Sequence, residues 1–243
     1  DAALRRRGGA ALLVVLPSKA TVRPDLVPPG TAPPSGPTNR DAYVRLAPEA
    51  GAPVLDLTPR FLEHGRSSPH GLFSPYGIHW TELGAVLGMQ EVLARLGELT
   101  GRRLARVEIA GVDVTDRIAP VDRDVADGMN LLFPLPPVKL AYPRVRVEAT
   151  GAWRPRALVV ADSNFWNVFD LPLAGAAFSS LRFWFYANDL HEHGEAIRYP
   201  NGDAEAARLV DEADVVLVLA SEANLPRLGW GFLEASDRVL AAR

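Results

Sequence analysis

The chain has 243 residues, 48% of them apolar and 23% charged, with a formal net charge of −3. That is the composition of a folded globular protein, and it excludes a disordered tail, a collagen and a coiled coil. A protein gripping nucleic acid mainly through its phosphates would be more basic, and the absence of cysteine removes disulfides, thiolate zinc sites and a cysteine nucleophile together.

Residues 1–7 read as the end of a helix and Ala10–Leu16 as a buried strand. A domain seldom opens on the tail of a helix, so further residues are expected ahead of Asp1, where a targeting or anchoring segment has room. No apolar run is long enough to span a bilayer, and no signal peptide is recognisable. Arg23–Pro37 carries six prolines and is a loop. Pro53–Leu57 is a second strand. Thr81–Leu99 is a long helix, its face marked by Leu83, Val86, Met89, Leu93 and Leu96. Arg102–Val147 breaks the rhythm. It holds two alternating segments, Leu104–Val112 and Arg144–Val147, on either side of a proline-rich stretch, and is expected to form a small antiparallel lid or flap. Ala157–Ala161, Leu181–Tyr186 and Asp214–Leu219 are further apolar strands. Asp203–Ala213 is a short helix with Ala206, Leu209, Val210 and Ala213 on one side, and Gly231–Arg243 closes the chain as a helix. Continuously apolar strands belong to parallel sheets covered on both faces. The expectation is one α/β domain over residues 1–243: a three-layer, doubly wound sandwich around a mainly parallel five-stranded sheet, with an antiparallel insertion at residues 102–150.

Such sheets bind ligands beyond the carboxyl ends of their strands. Ser163 follows the strand ending at Ala161, at a turn where outward-pointing N–H groups favour negative charge. It is either a nucleophile whose own N–H helps hold an oxyanion or a helix cap. His79 opens the long helix on the same edge, and is either the general base for Ser163 or a structural histidine packed beside Trp80. His191-Glu192-His193 resembles a metal pair, but no third or fourth ligand has matching spacing. No metal and no cofactor is assigned.

The segment Ile78-His79-Trp80-Thr81-Glu82-Leu83-Gly84-Ala85, followed much later by a strand and Asp162-Ser163, resembles the SGNH-hydrolase-like domain of the alginate O-acetyltransferase family, the AlgX/AlgJ type. There an H-W-T/S-x-x-G-A segment carries the catalytic histidine and a later G-D-S segment the serine, an order permuted relative to ordinary GDSL esterases. Leu16-Pro17-Ser18-Lys19, Val54-Leu55-Asp56-Leu57 and Ala213-Asp214-Val215-Val216 resemble other strands of that family.

The resemblance implies serine-dependent O-acetyl transfer to, or O-acetyl ester hydrolysis on, a polysaccharide or other glycan outside the cytoplasm. His79 would take the proton of Ser163. Ser163 would form the acetyl ester, with its own N–H and the side chains of Asn188 and Asn224 as oxyanion donors. A membrane-bound acyltransferase would supply the acetyl group, and Trp80 and Trp166 would stack on sugars. The domain would be periplasmic, held to the membrane by the segment expected before Asp1. Two departures stand out. The family's G-D-S is Ala161-Asp162-Ser163 here, and the aspartate of its D-x-H-W motif is Gly77. Without that aspartate, a carboxylate from elsewhere orients His79, with Asp56 and Glu82 as candidates, or a Ser-His dyad works alone, or activity is lost. In the last case the chain is a catalytically silent glycan-binding or scaffold domain of an export complex. A cytosolic esterase of small substrates is the third reading.

Overall fold

The computed structural model describes residues 2–31 and 35–240. Its strands are β1 (Ala10–Leu16), β2 (Val54–Asp56), β3 (Arg106–Thr115), β4 (Leu140–Glu148), β5 (Arg156–Ala161), β6 (Ser180–Phe185), β7 (Asp189–Glu192) and β8 (Val215–Ser221). The helices are α1 (Ala2–Arg5), α2 (Lys19–Val22), α3 (Asn39–Glu49), α4 (Thr58–Ser67), α5 (Glu82–Thr100), α6 (Asp124–Gly128), α7 (Trp166–Phe169), α8 (Pro172–Ala177), α9 (Asp203–Glu212) and α10 (Phe232–Leu240).

Six strands form one sheet in the order β2-β1-β8-β5-β6-β7. The first five run parallel and are the five apolar strands expected from the sequence; β7 is an antiparallel addition beside β6. The three central strands send alternate residues to opposite faces, as a pleated strand must. Leu12, Val14, Val159, Leu217 and Leu219 point into the core beneath α4, α5, α7 and α8. Leu158, Val160, Val216 and Val218 point into a second core with Leu209 and Val210 of α9 and Phe232 of α10. Both faces are therefore covered, which is why these strands are apolar without interruption.

Three features differ from expectation. The strand β7 is a four-residue edge with only Leu190 buried, and it carries no apolar run that a sequence reading could find. Helix α3 buries no residue and contains Pro48, and α4 buries only Thr58 and Phe61. The antiparallel pair β3–β4 is longer than the alternating segments, pairing Arg106 with Glu148 and Thr115 with Leu140. The proline-rich segment forms a 3-10 turn at Pro24–Leu26; residues 32–34 of it, and 241–243 of the expected final helix, lie outside the described residues.

The β3–β4 hairpin is tied to α5 through Gln90, whose side-chain amide donates to the Val107 carbonyl at 2.9 Å. Between its two strands the chain makes the 3-10 turn Pro120–Asp122 and then α6. That stretch reaches back to the turn before α5: Ala126 N–H donates to Tyr76 O at 3.1 Å.

Candidate active site

Residues Ser163–Phe165 form a 3-10 turn directly after β5. Its cap is Asp162, whose side chain accepts from Asn164 N–H, so the capping role considered for Ser163 belongs to its neighbour. Asp162 is fully buried. One of its oxygens accepts from the backbone and side-chain amides of Asn164 at 3.0 and 3.1 Å. The other accepts from Ser221 N–H and the Asn224 amide, both at 2.8 Å. Four N–H donors meet a charge that has no room for water, so the turn after β5 is pinned to the end of β8. Ser163 is left as the first residue of the turn. Its N–H has no helical acceptor there, and its side chain is free to face outward.

What it faces is His79. The Nε2 atom of His79 lies 2.8 Å from Ser163 Oγ. The approach is fixed through the residue next door, because Trp80 bonds to the serine segment at three points. Its backbone N–H donates to Asn164 Oδ1 at 3.3 Å and its indole N–H to Asn164 O at 2.6 Å. Its carbonyl accepts from the Asn167 side chain at 2.5 Å. Trp80 itself has no exposed surface and stacks on Phe61 with ring centroids 6.1 Å apart. A tryptophan buried this way cannot stack on a sugar, so the binding role expected for Trp80 is corrected: it anchors the histidine turn. Trp166 is only partly buried, and its ring lies edge-on to Phe183 and His191.

On its other side, His79 Nδ1 is 2.9 Å from an oxygen of Asp124, the first residue of α6. This carboxylate is at ion-pair distance but off the line of the ring N–H, and Nδ1 makes no aligned hydrogen bond. The other Asp124 oxygen accepts from Ile78 N–H at 3.1 Å and Val125 N–H at 2.9 Å. The two carboxylates considered from the sequence lie elsewhere. Asp56, at the end of β2, is held by the Arg40 guanidinium at 2.5 Å and by Thr58 N–H at 3.0 Å. Glu82 opens α5, where burial and the nearby Asp122 raise its carboxyl above the ordinary range. Asp124 lies in the insertion, in no motif, and no sequence signal singled it out.

The turn carrying His79 is held from below as well. Lys19, just past β1, donates from Nζ to Pro75 O at 3.0 Å and to Gly77 O at 2.8 Å. Burial, with Arg23 nearby, pushes its ammonium below the usual lysine value. Asp122, two residues before Asp124, is buried and accepts from the Tyr142 phenol of β4 at 2.7 Å. Its carboxyl is raised mainly by burial, with the Tyr142 hydrogen bond opposing.

Of the expected oxyanion donors, the side chains of Asn188 and Asn224 are engaged elsewhere. The Asn224 amide is committed to Asp162 and to Ser221 Oγ at 3.2 Å. Asn188 is exposed and its amide donates to Asp189 at 3.1 Å. The polar group found beside Ser163 is the phenol of Tyr186, 3.5 Å from Oγ. Tyr186 and Ala187 have φ of 49° and 51°, an uncommon conformation for side-chain-bearing residues. These two left-handed residues turn the chain after β6, and Trp230 braces the Tyr186 ring with centroids 5.0 Å apart. His191 bonds to Asp189 at 2.6 Å and His193 stacks on Phe169. Among the described residues, no group of three His, Cys, Asp or Glu side chains could hold a metal.

Residues 1–148, more than half of the chain and including His79, match the family described as SGNH hydrolase-like domain, acetyltransferase AlgX. Among solved structures, the O-acetyltransferase domain of Pseudomonas putida AlgJ superposes with a TM-score of 0.55 at 15% identity, covering 92% of this chain and 78% of that one. Bacillus cereus PatB1 with a sulfonyl adduct gives 0.56 at 13% identity, covering 92% and 86%. Pseudomonas aeruginosa AlgX gives 0.52 at 13% identity over 96% of this chain but 59% of its own, so the chain spans about three fifths of that protein. No curated protein matches the sequence. The structures establish a common fold, and the family match carries membership: the chain belongs to the AlgX family of SGNH-hydrolase-like acetyltransferase domains.

Proposed function

We propose that this domain transfers acetyl groups through an ester on Ser163. The observation that carries the reading is the 2.8 Å contact between Ser163 Oγ and His79 Nε2, made by two partly exposed side chains on the carboxyl edge of the sheet. A serine hydroxyl is a weak nucleophile until a base takes its proton as it attacks. His79 is placed to do so. Oγ attacks the carbonyl carbon of an acetyl ester while its proton passes to Nε2. The tetrahedral adduct then collapses, the donor's oxygen leaves with that proton, and acetyl-Ser163 remains. In the second half an acceptor hydroxyl gives its proton to His79 and attacks the acetyl carbon, which restores Ser163 and forms a new ester. With water as acceptor the same steps hydrolyse the ester.

The oxyanion would be met by the Ser163 N–H and by the Tyr186 phenol. In this reading the acceptor is a glycan hydroxyl and the work is done outside the cytoplasmic membrane, with acetyl supplied by a membrane-bound acyltransferase. Family membership supports these assignments. No helix among the described residues is long and apolar enough to cross a membrane.

The test uses p-nitrophenyl acetate as donor and a sulfonyl fluoride as a probe. The wild type should release nitrophenol and gain one sulfonyl group on the Ser163 peptide by mass spectrometry. Ser163→Ala should lose the label and at least about a thousandfold of the rate. Labelling at another residue, or a rate unchanged in Ser163→Ala, sinks the proposal.

A further inference from the structure

We propose that Asp124, delivered by the insertion between β3 and β4, is the residue that orients His79, in a position that excludes any side chain at residue 77. The inference rests on the Ser163–His79 reading above and adds the third member of that site from an unexpected place.

Three observations carry it. Asp124 is the carboxylate at Nδ1, at 2.9 Å, and both partners are partly shielded, with side chains 14% and 31% exposed for His79 and Asp124. Its second oxygen is fixed by two backbone N–H groups, one of them from Ile78, the residue before the histidine. A carboxylate held this way moves with the histidine turn and not independently of it. Finally, residue 77 is glycine for a steric reason. A Cβ there would lie 2.9 Å from both C and O of Asp122 and 3.0 Å from Asp124 Oδ1. Real Cβ atoms do not approach a backbone so closely, so the bare residue at 77 and the docked 122–124 segment require one another. The chain has exchanged a side chain at 77 for the room in which Asp124 sits.

The expected consequence is tautomeric. A carboxylate at Nδ1 accepts from the ring and keeps its proton there, leaving Nε2 unprotonated to receive the proton of Ser163. The poor alignment of the pair is common in catalytic contacts without substrate, which tighten in the complex. The charged groups around His79 are few. Asp122 lies beside Asp124 and senses His79, Lys19 senses Asp124 from the far side, and Glu82 senses Asp122.

Asp124→Asn is the informative variant. Its amide oxygen keeps the two backbone hydrogen bonds, so the fold survives, but its NH2 faces Nδ1 and favours the wrong tautomer. Nitrogen-15 NMR of the His79 ring should find the proton on Nδ1 in the wild type and in Ser163→Ala, and on Nε2 in Asp124→Asn. The kcat for p-nitrophenyl acetate should fall by roughly a hundredfold to ten-thousandfold with little change in KM. Asp124→Ala should recover part of the rate when formate is added. Asp127→Asn, exposed on the same helix, and Asp56→Asn should leave the tautomer unchanged. An Nδ1-protonated ring that persists in Asp124→Asn overturns the assignment, whatever the rate. If the tautomer switches but the wild type turns over no acetyl ester, the orienting role stands and the acetyl-transfer reading falls.

Discussion

Asp162 is the residue on which the serine turn depends. It is buried with its charge and answers that charge with four N–H donors and no cation. Asp162→Asn keeps the shape but turns one acceptor oxygen into a donor, so that an NH2 group confronts two N–H groups. The expected loss is about 2–4 kcal/mol, because buried donors are left unsatisfied and a charge-assisted set is broken. The measurement is the urea midpoint at constant slope; a change under about 0.5 kcal/mol would mean that the cluster tolerates rearrangement. Asn224 belongs to the same cluster. Its neighbourhood to the strand ends made it a plausible oxyanion donor, and only the contacts of its amide reveal that both directions are already used.

Between elements, the decisive contact is the docking of the 119–128 stretch on the turn at residues 75–79. Ala126 N–H donates to Tyr76 O and Ile78 N–H to the Asp124 side chain, and Tyr142 holds the approach through Asp122 and Ala119 N–H at 2.8 Å. Gly77→Ala inserts a methyl group against the backbone of Asp122. Backbone yields less easily than a flexible side chain, so the expected cost is about 1–3 kcal/mol of stability. The rate should fall further than stability explains, because the displaced segment carries the partner of His79. Parallel measurement of the thermal midpoint and kcat at 25 °C checks this. A variant that keeps both intact would show that the two turns can separate at no cost. The insertion expected as a lid or flap contacts the histidine turn through residues 124 and 126. Its alternating segments were visible in the sequence, but nothing there said that the irregular chain between them carries a carboxylate to the site.

For the whole molecule, two sets of acidic groups have opposite pH behaviour. Asp203, Glu205, Glu212 and Asp214 are held below their ordinary values first by hydrogen bonds from arginines. Their contribution to stability is present at neutral pH and fades as pH falls through the lowered values. These pairs are largely exposed and each is worth little. Asp122 and Glu82 are raised by burial, so the folded state holds their protons more tightly than the unfolded one. Stability from these two is greatest at acid pH and is lost as pH climbs from the ordinary carboxylate value of about 4 through the raised one. Asp122→Asn removes the larger burial. The difference in unfolding free energy, variant minus wild type, should therefore rise with pH across that window and level off above it. Urea unfolding at a series of pH values from about 4 to 8 reads this directly, and a difference that stays flat or falls across the window contradicts it.

The sequence by itself determined the parallel core. An apolar run such as Ala10–Leu16 or Ala157–Ala161 has few other places to go than between two layers of helices, because every side chain in it must leave water. It also determined the two segments that meet at the edge: Trp80, inside the histidine motif, and Asn164, the residue directly after the serine motif, carry the hydrogen bonds that bring His79 to Ser163. It did not reveal β7, α3 or α4, where few residues are buried. Nor could it choose among Asp56, Glu82 and some other carboxylate. A carboxylate orients a histidine through a gap of about 3 Å, and such distances between residues 79 and 124 are set by how a hairpin packs on a helix. Only the tertiary structure fixes that packing, and with it the reason that position 77 has no side chain.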